Sequence, residues 1–204
     1  MRKRVYNLCV FTMVVLVVFQ IAACGRTPKA RFYTLSSLNA SQNSEHFNVD
    51  KPRKVIGIGP VAIAMYLDHP GIITRNGPNT VTRSELDRWS GSLNDEVARV
   101  FVENMGQLLA GSEYLAQPWL EMSDIDYRVQ LNITRFDGPS EGPVLLNASW
   151  MFFGRERVLL ASGDAAITEP LNGEGYAATA DGMSRALNSL SKRIAAEIKS
   201  VTDE

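Results

Sequence analysis

The chain has almost no cysteine, since Cys9 and Cys24 are the two copies among 204 residues. Both belong to one apolar run near the beginning of the chain, and residues 25–204 contain no thiol. A disulfide-stabilised fold and a thiolate metal site are therefore excluded for that part of the chain. Its stability must come from a packed core.

Histidine is also scarce, and His46 and His69 stand alone in loop-like stretches without a second ligand at metal-binding spacing. No GxSxG nucleophile motif is present. Asp68 beside His69 could form part of a dyad, although loop capping explains the pair more simply. The carboxylates form no recognisable acid/base pattern, so we predict no metal site, no catalytic residue and no enzymatic activity.

An excess of positive charge is missing as well. The chain carries 21 basic and 22 acidic residues, and loss of residues 1–23 would remove three basic residues and change the net charge from -1 to -4. The charges are scattered rather than clustered. A nucleic-acid-binding surface is therefore not expected.

The apolar run of residues 5–21 is short for a transmembrane helix and is followed by no basic stop-transfer cluster. Three basic residues precede it, and small residues lead into Cys24, as in a secretory signal whose cleavage site is also a lipidation site. This pattern looks like a bacterial lipobox. A single transmembrane helix with an incidental cysteine is the alternative.

We therefore predict a cleaved signal peptide at residues 1–23, a lipidated tether at 24–30 and one domain at 31–204. Cys24 would carry a diacylglyceryl group and an N-acyl chain, and each buried methylene adds roughly 0.8 kcal/mol to membrane binding. Gly25 is not the aspartate that retains lipoproteins in the inner membrane of many enteric bacteria, which favours the periplasmic face of the outer membrane. The tether spans about 25 Å at most.

Short apolar runs separated by turn residues predict strands in the domain. Residues 31–35 and 55–63 are typical of strands, and Pro60 requires a bulge, a strand end or an edge position there. Residues 72–75 and 80–83 predict a hairpin across the turn at 76–79. Three further strands are expected at residues 127–134, 144–153 and 158–168, joined by short turns as an antiparallel meander.

Two apolar stripes with spacings of three and four predict helices. The first begins at Leu93, with Ser92 as N-cap and Asp95 three residues later, and Gly111 is placed to stop it. The second runs from Glu174 almost to the terminus. It could pair with a partner helix, but an antiparallel sheet of this size needs a cover. We predict an α+β single domain with a mostly antiparallel sheet covered on one face by two helices.

Aromatic residues and arginines are concentrated in segments that we expect to be loops. Exposed side chains of these types are enriched at protein interfaces, so Tyr66, Arg75, Arg88 and Trp89 are our predicted partner-binding residues. The alternative is that these side chains pack under the domain's own helices. The segments are residues 65–75, 88–89, 114–115 and 118–119.

Several motifs follow one another in a characteristic order and spacing. They are the lipobox, Tyr33-Thr34-Leu35, Tyr66-Leu67-Asp68, residues 72–79, Arg88-Trp89, Leu93, Phe136 and Trp150. Together they resemble the ABC-type transport auxiliary lipoproteins, the PqiC-like (YmbA-like) proteins. The resemblance covers most of the chain after the lipobox.

This resemblance implies a non-enzymatic outer-membrane lipoprotein that works with an MCE-domain protein in moving lipids between membranes, with members that look like ring-forming receptors. The family has no catalytic residues that could be assigned in this chain. The one functional residue that we assign from the resemblance is Cys24, as the lipid attachment site. A periplasmic lipid- or ligand-binding carrier lipoprotein, with a pocket between sheet and helices, is the competing hypothesis.

Overall fold

The computed structural model describes residues 3–4, 6–7, 11–13, 28–38, 54–109, 112–116, 125–139 and 141–202. Contacts divide the chain into two units, Met1–Ala30 and Arg31–Glu204. In the first unit, residues 3–4, 6–7 and 11–13 are helical. Among the described residues no helix combines the length and the hydropathy that crossing a bilayer requires. The predicted cleavage site, Cys24 and Gly25 lie outside the described residues.

The second unit combines strands and helices, which confirms the predicted α+β class. Its helices are α1 (Leu93–Leu108) and α2 (Gly175–Thr202), and 3-10 turns lie at Met65–Leu67 and Arg155–Arg157. Its strands are β1 (Arg31–Tyr33), β2 (Val55–Ile63), β3 (Gly71–Gly77), β4 (Thr80–Trp89), β5 (Glu113–Ala116), β6 (Tyr127–Asp137), β7 (Val144–Phe153) and β8 (Leu159–Glu169).

The predicted antiparallel meander is formed by β6, β7 and β8. Its alternation is clearest in β6, where Val129, Leu131 and Ile133 are buried while Asn132 and Thr134 are exposed. Side chains two residues apart lie on the same face of a strand, so this pattern buries one face of the sheet. Strand β7 has its predicted bounds, β6 extends three residues beyond its predicted end, and β8 begins and ends one residue later than predicted.

Parallel strands complete the larger sheet, whose order is β5-β2-β6-β7-β8. Strand β2 pairs in parallel with both β5 and β6. Its register against β6 shifts between Ile58 and Val61, around Pro60, which has no N–H to donate. Of the bulge, strand end or edge position expected at Pro60, the register shift corresponds to the bulge, but the sheet is mixed rather than mostly antiparallel.

Both helices pack on the larger sheet and on each other. The side chains of Val97 and Phe101 in α1 and of Leu190 and Ile194 in α2 are completely buried. Fully burying such a side chain contributes about 1.5–3 kcal/mol to folding. The prediction that α2 covers the domain's own sheet is confirmed.

A second, three-stranded sheet has the order β1-β4-β3, which the prediction of one sheet did not include. Its β3–β4 hairpin is the one expected from the sequence, with Pro78 and Asn79 between the strands. Strand β1 adds to it in parallel, with Tyr33 opposite Trp89. Because β4 continues to Trp89, residues 88–89 lie in a strand and not in a loop.

Strand β5 is the other element that the sequence did not predict, since Tyr114 and Leu115 were expected in a loop. Four residues are too few for a periodic pattern. The hydroxyl of Tyr114 donates to the carbonyl of Leu109 at 2.8 Å, and burial raises the pKa of Tyr114 to about 12. Pro118 and Trp119 lie outside the described residues.

Candidate functional site

Tyr66 and Arg75, two of the predicted partner-binding residues, both bind the carboxylate of Asp137. Asp137 ends β6, and its side chain is completely buried. Its oxygens accept hydrogen bonds from Tyr66 Oη at 2.5 Å, from Arg75 Nη2 at 2.8 Å and from Arg135 Nε at 3.0 Å. The Arg75 guanidinium also lies 5.5 Å from the centre of the Tyr66 ring, within cation–π range.

These contacts keep the buried carboxylate ionised. Burial alone would raise the pKa of Asp137, but hydrogen bonds from Arg75, Tyr66 and Arg135 outweigh it and hold that pKa below its ordinary value. Burial and the neighbouring carboxylate raise the pKa of Tyr66. The hydrogen bond to Asp137 is the main cause of a raised pKa for Arg75.

Arg75 thereby joins the two sheets. It belongs to β3 of the smaller sheet, while Asp137 belongs to β6 of the larger one. The backbone N–H of Arg75 also donates to the carbonyl of Gly138 at 2.8 Å. Since the Arg75 side chain is 21% exposed, most of its surface is buried within the domain. Partner binding by Tyr66 and Arg75 stays a prediction.

Trp89 and Arg88, the other two predicted partner-binding residues, point to opposite sides of β4. Trp89 is 4% exposed and belongs to the hydrophobic core, whereas Arg88 is exposed. Our expectation that Trp89 lies in an exposed loop was wrong, because the alternation of β4 turns its side chain inward. Partner binding by Arg88 stays a prediction.

A second buried carboxylate, Asp87, binds the first strand after the tether. Asp87 is 4% exposed and lies 2.7 Å from Arg31 Nε. It also accepts hydrogen bonds from Tyr33 Oη at 2.9 Å and from Ser84 Oγ at 3.1 Å. Burial would raise the pKa of Asp87, but these donors together hold it below its ordinary value.

The residues that follow β1 are bound to both helices. The Leu35 N–H donates to Glu96 Oε2 at 3.0 Å, and the Leu35 carbonyl accepts from Arg99 Nη2 at 2.7 Å. The Ser36 N–H donates to Ser184 Oγ of α2 at 3.1 Å. Side chains of the helices thus satisfy backbone groups of this extended segment.

Asn104 continues this attachment from inside the domain. It is completely buried, and its Oδ1 accepts from the Leu38 N–H at 2.8 Å. Its amide nitrogen donates to Asn188 Oδ1 at 2.8 Å and to Ser191 Oγ at 3.0 Å. One side chain therefore links the N-terminal segment, α1 and α2.

His69 has a local structural role. Its Nδ1 accepts from the Gly71 N–H at 3.0 Å, and its Nε2 lies 2.7 Å from Arg83 Nη1. Burial, Arg83 and Arg88 lower the pKa of His69. The loop capping suggested for this residue is thus observed. His46 lies outside the described residues, and the described ones contain no group of three or more side chains able to hold a metal ion.

The tip of the β7–β8 hairpin, residues 154–160, exposes apolar side chains that the sequence did not single out. Val158 is 57% exposed, Leu159 53% and Leu160 38%. The Gly154 N–H donates to the Val158 carbonyl at 2.9 Å, and the Val158 N–H donates to the Arg155 carbonyl at 3.2 Å. These bonds close the turn while the three aliphatic side chains face solvent.

Two clefts of about 460 and 590 Å³ lie beside the hairpin tip. Tyr127 and Arg155 line both of them. Arg155 Nε donates to Asp126 Oδ1 at 2.9 Å, and Lys54 Nζ lies 3.3 Å from the Tyr127 hydroxyl. The hydrogen bond from Arg155 is the main cause of a lowered pKa for Asp126.

The space between the larger sheet and the helices, where a carrier would need its pocket, is filled by side chains. Aromatic and aliphatic residues from both layers form one buried cluster there. Its completely buried members include Phe101, Phe136, Phe152, Ile133, Leu146, Leu187 and Leu190.

Comparisons with known proteins agree with this architecture. The model of the family described as ABC-type transport auxiliary lipoprotein component matches residues 33–195. The chain belongs to this family. The match to this auxiliary lipoprotein family includes Asp87, Asn104, Asp137 and the hairpin tip, but it begins after Cys24. The role of Cys24 stays a prediction from the sequence.

Solved structures show the same fold as this auxiliary lipoprotein. The crystal structure of an uncharacterized protein is 18% identical, with a TM-score of 0.68 over 84% of this chain and 99% of the other. Protein XCC0632 from Xanthomonas campestris is 15% identical, with a TM-score of 0.61 over 83% of this chain and 99% of the other. No curated protein matches significantly.

Proposed function

We propose that this auxiliary lipoprotein is held on the periplasmic face of the outer membrane by lipid on Cys24. There it would act as a non-enzymatic docking component for an MCE-domain protein that moves lipids between membranes. The family's description as a transport auxiliary component supports the general role. The lipobox and Gly25 support the proposed location on the periplasmic face of the outer membrane.

The observation that carries this proposal is the firm attachment of the domain's own beginning. Arg31 and Tyr33 bind Asp87, and Leu35 and Leu38 bind the helices. Residues after Ala30 therefore do not lengthen the tether, which consists of the six residues 25–30 after Cys24. Such a tether reaches about 25 Å at most. The domain therefore stays near its membrane, and a partner has to come to it.

The packed interior favours docking over carriage. A carrier encloses most of its ligand's surface in a pocket. Here the interface between the larger sheet and the helices is occupied by buried side chains. The clefts at the hairpin tip are open to solvent and small by comparison with a membrane lipid.

A pull-down from native membranes in mild detergent tests the proposal, with mass spectrometry of proteins and lipids. We expect the wild type to recover an MCE-domain protein. Cys24→Ala should lose the lipid and the outer-membrane location and recover much less of the partner, whereas the matched control Cys9→Ala should behave as wild type. Recovery of the protein alone with one equivalent of lipid would support the carrier hypothesis instead.

The ring that the resemblance implies belongs to the same proposal. Native mass spectrometry of the detergent-solubilised, lipidated protein would show one defined oligomer if copies form a ring. A monomer at the concentrations used for partner binding would remove the ring from the proposal and leave docking intact.

A further inference from the structure

The hairpin tip, residues 154–160, is built to keep aliphatic side chains exposed. Val158, Leu159 and Leu160 follow one another in the chain, and all are at least 38% exposed. Exposed apolar side chains grouped beside polar groups mark interaction sites on soluble domains. Two backbone hydrogen bonds close the turn, and Val158 and Leu160 line the neighbouring cleft.

The backbone of the tip is strained. Glu156 has φ 57° and Arg157 has φ 60°, both in the left-handed region. For residues other than glycine this conformation costs roughly 1–2 kcal/mol each. Strain of this kind clusters at functional sites, and consecutive residues with positive φ also form tight hairpin turns. Arg157 and the three aliphatic residues after it are exposed here.

The domain's first strand lies at one end of α1. Tyr33 pairs with Trp89, which precedes α1, and Leu38 reaches Asn104 in the last third of that helix. The chain thus runs alongside α1 in the direction of the helix. Arg31, where the chain leaves toward Cys24, accordingly lies beyond the beginning of α1.

The hairpin tip lies at the other end of α1. Strand β5 follows the end of α1 and begins opposite Val55. The Val55 N–H donates to Asp126 at 2.9 Å, and Asp126 binds Arg155 of the tip. Since α1 has 16 residues, the two ends of the domain are about 24 Å apart along the helix.

This separation argues against the anchoring membrane as the occupant of the tip. The predicted tether is attached at Arg31, at the opposite end, and reaches about 25 Å when fully extended. It would have to extend along the whole length of the domain to bring its own lipid surface to Leu159. An occupant that approaches the end of the domain opposite Arg31 meets no such restriction.

The charge of the tip indicates the chemistry of that occupant. Arg157 is exposed and makes no hydrogen bond or ion pair within the described part of the chain. Among the tip residues and those lining the larger neighbouring cleft, three cations (Lys54, Arg155 and Arg157) stand against two carboxylates (Asp126 and Glu156), a local charge of +1. All residues after the predicted cleavage, the tip included, carry a net charge of -4. A local excess of positive charge beside aliphatic side chains therefore complements a surface with carboxylates around aliphatic residues.

We propose that the hairpin tip binds a protein partner that presents aliphatic side chains beside carboxylates, at the end of the domain opposite Arg31. This inference rests on the proposed function, because it names the surface through which the docking component would hold the MCE-domain protein. Leu159 and Val158 supply the apolar contact, and Arg157 supplies the charge contact.

Site-specific photocrosslinking in native membranes tests this assignment with the full, lipidated chain. The photoreactive residue p-benzoylphenylalanine replaces Leu159 in one strain and Leu86 in another, since Leu86 of β4 is also an exposed leucine at 38%. We expect the MCE-domain protein to be crosslinked from position 159 and not from position 86.

Substitutions give the matching affinity test by pull-down. Leu159→Asp and Arg157→Glu should each lower recovery of the partner on the order of tenfold, as loss of a central interface contact does. Leu86→Asp is the matched control for Leu159→Asp, and Lys192→Glu is the matched control for Arg157→Glu. Both controls should leave recovery of the partner unchanged. Urea denaturation of every variant verifies that the domain stays folded.

The outcomes separate this inference from the proposed function. If wild type recovers the MCE-domain protein but neither tip substitution changes recovery, the tip assignment is wrong and docking stands. If position 159 crosslinks lipid alone, a membrane occupies the tip and the assignment is also wrong. If wild type recovers no MCE-domain protein, the proposed function fails. In that case the tip assignment holds only if one defined protein is crosslinked from position 159 and the same protein is no longer recovered with Leu159→Asp or with Arg157→Glu.

Discussion

The two ends of the domain use charged side chains in opposite ways. At the N-terminal end, around Arg31, Asp87 and Asp137, both carboxylates are buried and bound by arginine and tyrosine. At the hairpin tip, aliphatic side chains and Arg157 face solvent. The first arrangement fixes the domain to the chain that leads to the predicted lipid, and the second leaves a surface for recognition.

The difference has a physical basis. A buried carboxylate is tolerated only when several donors replace its water, so such a site rigidifies the elements that supply them. Exposed aliphatic side chains contribute little to folding, because they stay in water in both states. Substitutions should therefore affect stability at one end and binding at the other.

The largest expected effect is on folding, from Asp137→Ala. Removing the carboxylate leaves the Arg75 guanidinium and the Tyr66 hydroxyl without their acceptor, and loss of one partner of a buried ion pair costs about 3–5 kcal/mol. Urea denaturation of the detergent-solubilised protein measures this. Leu159→Asp at the hairpin tip should change the free energy of unfolding by about 0.5 kcal/mol or less. Equal effects at both residues would contradict the proposed division between the ends.

A smaller loss of stability is expected from Asn104→Ala. The substitution leaves the Leu38 N–H and the hydroxyl of Ser191 without one partner, which costs about 1–3 kcal/mol in a buried setting. The Leu38 amide should also exchange with deuterium faster, because its acceptor is gone. Gln107→Ala, at an exposed position of the same helix, is the control and should change neither measurement.

The smallest effect is the dependence of stability on pH. The pKa values of Asp87 and Asp137 are both lowered in the folded state. Their contribution is therefore complete above the unfolded pKa of about 3.9 and is lost as the pH falls through the lower folded values. We expect the free energy of unfolding to fall below about pH 4.

Variants assign this acid sensitivity to the N-terminal end. Asp137→Asn should flatten the decrease in stability below about pH 4, because one ionisation that differs between the two states is removed. Asp164→Asn, at an exposed position of β8, should leave the pH dependence as in wild type. An unchanged slope in Asp137→Asn would show that Asp137 is not ionised differently on folding.

Local patterns were enough to predict most elements. The stripe in α1, the alternation in β6 and the turn between β3 and β4 each arise from neighbours in the chain, and each appears where expected. Ser92 caps α1 by accepting from the Asp95 N–H at 3.4 Å. Capping, alternation and turn formation depend on a few consecutive residues, so a sequence records them directly.

The candidate site was predicted less well for the same reason. Trp89 was assigned to a partner surface because aromatic residues and arginines are concentrated in a segment expected to be a loop. The strand that contains it is instead fixed through Asp87, which binds Arg31 and Tyr33 from far earlier in the chain. Likewise, Arg75 looks exposed until Asp137 is brought beside it. No local signal records such a pairing.

The sequence by itself determined the α+β class and the absence of thiol chemistry after residue 24, and it predicted lipid attachment at Cys24 and a short tether, because these depend on composition and local order. Only the tertiary structure decided the parallel pairing of β2, the separate small sheet and the division between a bound N-terminal end and an exposed hairpin tip. Those features arise from contacts between residues distant in the chain, where burial and hydrogen bonding across the fold override local preference.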